Sequence, residues 1–476
     1  MAPLDSLIIA AYISLIFYMA WRVGRENSKT TVTAESQYLA NNSLSFTESI
    51  CSIIATEVSA LTFLGIPAFA FNQNFSFVQI YFGAIAGRLI VALFFLPKIY
   101  GKGLTIYEVM AQGTKEATGR RVVGIFYAIS KVFSVGVRLF SGSILVATFM
   151  GVNVYVGLAA VTFITFFYTL IGGLKAVVRT DILQMGLFIL GGIVAHYLIP
   201  QVANQSWSDM MSLAHAAGKT TIFDITQPWS IVAGLLGGVL FDMSTHGVDQ
   251  DFAQRLTANA SLKRGQQAIF FSSFISISVG LLFLGVGALL WSYYQSHPFP
   301  AEIPNADHLF AHFIVNYFPQ GMKGLMVAGV LAATMSTLDS TINALCATLY
   351  NDILPKRSKL TISQYFFIDN IAITLLLFSV AIVASQNDGL LMLGLKIQSW
   401  TAGALLSLFM AYVIFKRHFH SPFDSGTVVL AYVFGVGGVA LNTMVIQGNW
   451  NWNTYYGCGF GMLALFLLGK LRQQKN

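Results

Sequence analysis

The chain has 476 residues, of which 55% are apolar and only 10% charged, with a formal net charge of +7. A soluble domain carries about 25% charged residues, so a soluble enzyme of this length is excluded: it could not wet its surface. Cys51, Cys346 and Cys458 are too few and too widely spaced for a disulfide framework or a zinc site.

Thirteen apolar segments lie near 4–24, 46–71, 76–97, 122–150, 152–172, 176–200, 228–250, 266–292, 321–350, 363–386, 388–415, 425–446 and 454–472. Each approaches the ~20 residues that a helix needs to cross a bilayer. The first follows Met1 to Asp5 with no basic stretch, and Arg22 and Arg25 come only after it. It therefore reads as a retained span rather than a cleaved signal. No linker divides the segments, so residues 1–476 form a single transmembrane domain.

Of the 27 basic residues, 21 fall in alternate loops or the C-terminal tail, namely Arg22, Arg25 and Lys29; Lys98, Lys102, Lys115, Arg120 and Arg121; Lys175 and Arg179; Arg255, Lys263 and Arg264; Lys356, Arg357 and Lys359; Lys416 and Arg417; Lys470, Arg472 and Lys475, whereas the opposite loops hold Lys219, with Lys323 at the edge of a span. The positive-inside rule makes the first set of loops cytoplasmic, with the N-terminus outside and the C-terminus inside. Four basic residues remain inside the segments, Arg88, Lys131, Arg138 and Lys396, and the acidic residues inside them include Glu57, Asp181, Asp242 and Asp339. Charge inside a membrane is costly and is retained where it faces a cavity or a partner.

The second segment contains Gly65 and Pro67, and the seventh contains Gly234, Gly237 and Gly238 before Asp242, Ser244, Thr245 and Gly247. Interruptions at matching places in two halves mark carriers built from inverted repeats, in which unwound backbone lines the central site. The same glycines also suit close helix packing. The sixth segment carries Asp181, which opens a strongly apolar helix and complements its N-terminus in the simplest reading. At the end of the seventh segment, Gly247 to Arg255 suits a solvated helix exit, with Arg255 as a topology charge. In the ninth, Ala333, Ser336, Thr337 and Ser340 recur at i, i+3, i+4 and i+7, on one helix face. Hydroxyls with free carbonyls suit a small hard cation. Gly457 to Gly461 lacks the lysine of a phosphate-binding loop.

Ile54–Pro67, Gly172–Gln184, Gly247–Arg255 and Ala332–Thr341, in this order, resemble the sodium/solute symporter family, which includes sodium/galactose, sodium/proline and sodium/sialic acid carriers. Tyr38-Leu39-Ala40 fits as well, although Asn41-Asn42 stands where the family has Gly-Arg. The resemblance spans about residues 7–470. It implies an all-α, LeuT-like fold of two inverted five-helix repeats with broken helices. The repeats are 46–200 and 228–415, and residues 1–30 and 425–476 form peripheral helices. It also implies a main sodium site from the carbonyls of Ala55, Val58 and Ala333 and the hydroxyls of Ser336 and Thr337. A second sodium site would use Asp181 and Ser340 with Ser336. Asp339 stands where another hydroxyl aligns, so two carboxylates either hold the second cation more tightly or one of them stays protonated.

The implied substrate contacts are Ser59, Thr62, Gln79, Arg138, Asp242, Thr245, Lys396 and Gln398. Arg138 resembles the arginine that grips the substrate carboxylate in sialic acid carriers, a bidentate role that suits guanidinium. The alternatives are an ion pair with Glu57 or Asp242, or snorkelling to an interface. The reading is sodium-coupled uptake of an acidic sugar or other carboxylate, without catalysis. The implied partners are a small solute, the sodium ion and the lipid bilayer, with no nucleic acid, and the chain acts as a monomer or weak oligomer in the plasma membrane. A neutral-sugar symporter, a sodium-independent facilitator and a membrane sensor are the rivals.

Overall fold

The computed structural model describes residues 2–27, 32–112, 117–223, 231–300, 303, 305–354, 360–385, 390–416 and 424–473. Of the topology charges, Lys29, Lys115, Lys356, Arg357, Lys359, Arg417 and Lys475 lie outside the described residues. The described chain is nearly all helix, as the apolar runs require: in lipid, every backbone polar group must be satisfied within its own segment.

We number the membrane helices α1 (Pro3–Arg25), α2 (Phe46–Glu57 continued by Leu61–Asn72), α3 (Phe75–Ile99), α4 (Thr118–Met150), α5 (Val154–Ile171), α6 (Gly173–Ala203), α7 (Ile231–Val248 continued by Gln250–Thr257), α8 (Leu262–Tyr293), α9 (Met322–Ile353), α10 (Ile362–Ala384), α11 (Leu393–Ile414), α12 (Ser425–Val445) and α13 (Trp450–Leu471). Among the described residues, eleven are long and apolar enough to cross a membrane, and the bent α2 makes twelve. The thirteenth expected span, α7, is a shorter apolar helix over its described residues, which begin at Ile231. Its apolar helix stops at Val248, and Asp249 caps the next helix by accepting from the Asp251 N–H (2.9 Å).

The break in α2 is not where Gly65 and Pro67 place it. Helix geometry ends at Glu57, Val58 is extended (φ −81°, ψ 109°), and the halves bend by 60°. The cause is hydroxyl competition for backbone partners. Ser59 Oγ accepts from the Leu61 N–H (3.2 Å), and Thr62 Oγ1 accepts from the Ser59 N–H (3.3 Å). Gly65 ends a wide turn, Leu61–Gly65, and Pro67 opens the helix that follows, where its missing N–H costs little.

The glycines of α7 serve packing. A Cβ on Gly83 would lie 2.2 Å from the Leu235 carbonyl oxygen, and one on Gly238 would lie 2.4 Å from that of Ile80. Gly83 and Gly87 of α3 are therefore spent on an internal contact rather than on a partner subunit. Gly83→Ala is expected to push α3 off α7 and cost about 1–3 kcal/mol, the usual range for overpacking. Thermal unfolding in detergent checks this.

α9 runs through the centre of the bundle, packed against α1, α2, α4, α6, α10 and the second half of α7. Every residue from Thr334 to Thr341 is buried. Asp5 of α1 accepts from the N–H groups of Gly321 (2.7 Å) and Gly324 (2.9 Å), capping α9. α5 joins α6 at a corner where Gly173 takes φ 58°, ψ −162°. Asp181 lies eight residues beyond this corner and is fully buried, so the helix N-terminus does not account for it.

Candidate functional site

In an unbroken helix the N–H groups of Ser59 and Thr62 would bond the carbonyls of Ala55 and Val58. Here they go to Thr62 Oγ1 (3.3 Å) and to the Ser59 carbonyl (2.9 Å). The Ala55 and Val58 carbonyls are thereby released from the helical ladder. α9 passes beside this break, with Thr56 Oγ1 3.3 Å from Ser340 Oγ. On α9, Thr337 Oγ1 donates to the Ala333 carbonyl (3.0 Å) and Ser336 Oγ donates to Asp181 Oδ1. The neighbourhood is rich in neutral oxygen, a donor set that suits sodium.

Asp181 adds charge at its edge. Its Oδ2 accepts from Ser52 Oγ (2.5 Å) and lies 3.7 Å from Arg255 Nη2. Asp339 turns to a different partner: Tyr168 of α5 donates to its Oδ2, and Ser340 Oγ donates to its Oδ1 (3.3 Å). The ninth-segment face is thus held by two carboxyl groups, one received from α6 and one supplied by α9 itself.

Two adjoining cavities share walls from α4, α7 and α11, and one of them also meets the break in α2. The larger, about 780 Å³, is lined by Glu57, Ser59, Thr62, Tyr81, Asp242 and their neighbours. The smaller, about 510 Å³, is lined by Tyr127, Ser130, Lys131, Asp249, Thr401 and others. Arg138, Thr245, Phe252 and Gln398 line both. Three of these form a hydrogen-bonded bar: Arg138 Nη2 donates to Gln398 Oε1 (3.0 Å), and Gln398 Nε2 donates to Thr245 Oγ1 (3.0 Å).

The acids considered as partners for Arg138 are taken elsewhere. Arg88, fully buried, donates to Glu57 Oε1 (2.7 Å), Asp242 Oδ1 (3.3 Å), Ser272 Oγ (2.7 Å) and Ser276 Oγ (3.2 Å). His246 Nδ1 lies 3.0 Å from Asp242 Oδ1. Among the described residues Arg138 has no carboxylate partner, and its buried Nε has no hydrogen-bond partner. Asp242 Oδ2 is likewise buried without a partner and belongs to the larger cavity.

Ser59, Thr62, Arg138, Asp242, Thr245 and Gln398 are therefore brought together. Gln79 and Lys396 are not. Gln79 Nε2 donates to the Ile222 carbonyl (2.7 Å), tying α3 to the connection before α7. Lys396 is exposed and lines neither cavity. Arg255, read as a cytoplasmic topology charge, is fully buried beside Asp181. Sequence reasoning also gave no role to Ser52 or Tyr168. Ser49, Ser52, Thr56 and Ser59 repeat at helical spacing on α2, and that hydroxyl stripe was the available signal.

A family model described as the sodium:solute symporter family matches residues 37–421. A sodium/sialic acid symporter of Proteus mirabilis is 26% identical over 359 residues, covering 73% of this chain and 72% of its own length. A sodium/glucose cotransporter of Vibrio parahaemolyticus is 23% identical, covering 74% of this chain and 68% of its own. Human sodium-coupled monocarboxylate transporter 2 is 24% identical, with coverages of 86% and 68%. Among solved structures, a substrate-bound, outward-open Na+-coupled sialic acid symporter matches with a TM-score of 0.87 at 20% identity, covering 99% of this chain and 98% of its own. That likeness shows the shared fold.

Proposed function

We propose, from the premise that the chain belongs to the sodium:solute symporter family and is a sodium-coupled membrane transporter, that its solute is a small carboxylate, foremost an acidic sugar. One observation carries this reading: Arg138, between two cavities, is a half-buried guanidinium fork with no carboxylate partner among the described residues. Arginine presents paired donors that match a carboxylate, and a solute acid supplies the missing partner. Asp242 Oδ2, an unpartnered acceptor in the larger cavity, suits the hydroxyls of a sugar. It is also the feature that favours a neutral sugar as the second reading.

The proposed sodium ligands are the carbonyls of Ala55, Val58 and Ala333 and the hydroxyls of Ser336 and Thr337, with a second sodium beside Asp181 and Ser340. Sodium bound between α2 and α9 joins two helices that a rocking motion separates. Residues 46–200 and 228–415 are the two moving repeats, and residues 1–30 and 425–476 lie at the periphery. With the N-terminus outside and the C-terminus in the cytoplasm of a plasma-membrane carrier, the larger cavity is the outer one. Solute then leaves through the smaller cavity once the bar of Arg138, Gln398 and Thr245 parts.

Uptake into proteoliposomes under a sodium gradient, with potassium as control, tests the reading across sugar acids, monocarboxylates, neutral sugars and amino acids. Sodium-driven uptake confined to carboxylates is expected. Uptake of neutral sugars alone selects the second reading, and flux indifferent to sodium removes the coupling. Thr337→Ala is expected to raise the apparent sodium constant roughly tenfold or more, since a polar bond to a charged group is worth about 1.5–3 kcal/mol. Sodium titration of the initial uptake rate checks it.

A further inference from the structure

Arg255 is the one basic side chain among the described residues that reaches the oxygens around Asp181. Its Nε donates to Ser52 Oγ (2.7 Å), its Nη2 donates to Ser340 Oγ, and its Nη2 lies 3.7 Å from Asp181 Oδ2. Ser52 passes the contact on to Asp181 (2.5 Å), and Ser340 passes it on to Asp339 (3.3 Å). A fixed monovalent cation is thus seated among the groups that a mobile one would use.

The seat is not the tightest hold on this guanidinium. Nη1 donates to Asp251 Oδ1 at 2.6 Å and to the Asp251 carbonyl at 2.8 Å, much closer than the approach to Asp181. Asp251 in turn is 3.0 Å from Lys131, which is 2.8 Å from Asp249 on the wall of the smaller cavity. Asp181, Asp251 and Asp249 are therefore linked through two fixed cations, Arg255 and Lys131.

We propose that Arg255 is a tethered competitor for sodium at Asp181. Sodium gains Asp181 and Ser340 when the guanidinium withdraws onto Asp251, and the guanidinium returns when sodium leaves. A buried carboxylate stripped of its cation is strongly unfavourable, so the returning arginine makes release possible. The inference rests on the reading that Asp181 belongs to a second sodium site.

The two possible roles for Arg255 predict opposite signs. A competitor, once removed, leaves sodium binding tighter; a structural pillar, once removed, leaves it weaker or unchanged. Arg255→Gln is expected to lower the apparent sodium constant at least tenfold, read by sodium-dependent thermal stabilisation of the purified full chain against potassium. Adding Asp181→Asn to that variant is expected to abolish the gain. Asp251→Asn, which removes the retreat and holds the guanidinium on Asp181, is expected to raise the constant, and it serves if Arg255→Gln does not fold. A sodium-responsive wild type whose Arg255→Gln form gains no affinity, or whose gain survives Asp181→Asn, overturns this inference alone. So does an Asp251→Asn constant that falls or stays put. A wild type with no sodium response overturns the transport reading and this one with it.

Discussion

Arg138→Ala is expected to weaken binding of a carboxylated solute by roughly 100-fold, the loss of two bonds to a charged group at about 1.5 kcal/mol each. Sodium-induced stabilisation without solute should stay at the wild-type level, because the one hydrogen bond of Arg138 among the described residues goes to Gln398 of α11 and not to α9 or α2. Arg138→Lys keeps the charge but loses the planar fork, and should fall between wild type and the alanine variant. The measurement is the shift in melting temperature with solute at saturating sodium, since a ligand stabilises in proportion to its preference for the folded state. Solute stabilisation that survives Arg138→Ala would return the guanidinium to a structural role beside Gln398.

The second large effect belongs to Arg88. It is fully buried and pairs with both Glu57 and Asp242, with Ser272 and Ser276 taking further N–H groups. Removing one partner from a buried ionic network costs about 3–5 kcal/mol, because the remaining charges stay desolvated and unpaired. Arg88→Ala should therefore lower the melting temperature and the yield of folded protein more than any other single change considered above. The added substitutions Glu57→Gln and Asp242→Asn should recover much of the loss, since they remove the charges left behind. Thermal unfolding of the single and triple variants measures both. A single variant as stable as wild type would mean that water or lipid headgroups reach these acids.

Much of this was legible in the chain because membrane segments declare themselves by length and apolarity, and because intramembrane charge is rare enough to mark a site. Arg138, Asp181, Asp242 and Asp339 stood out for that reason. The hydroxyl face of α9 followed from helical spacing alone. Partnership was not legible. Whether Arg138 or Arg88 holds Glu57 and Asp242 depends on which faces of α2, α3, α4 and α7 meet, and no spacing within one segment encodes that. Arg255 was misread because it follows an apolar run and precedes Lys263 and Arg264, which is how a topology charge looks. Only the cap at Asp249, which restarts the helix and carries it inward, puts Arg255 beside Asp181. The α2 break was displaced because Gly and Pro are loud signals, whereas Ser59 and Thr62 act through two quiet side-chain bonds. Lys396 and Gln79 show the reverse error: their segments line the site, but their own faces turn away from it.

The bar of Arg138, Gln398 and Thr245 separates two questions that a carrier usually answers with one set of residues. On the proposed reading, the anionic head of a solute meets a point common to both cavities. Its remaining atoms meet walls that belong to one cavity alone, such as Phe77, Ile80, Tyr81 and Phe241 on the larger side. Lineages that inherit this arrangement are free to redraw those walls for a longer, shorter or more hydroxylated acid while the head-group test stays fixed. A repertoire spread over unlike acids can then arise by drift on one side of a single guanidinium.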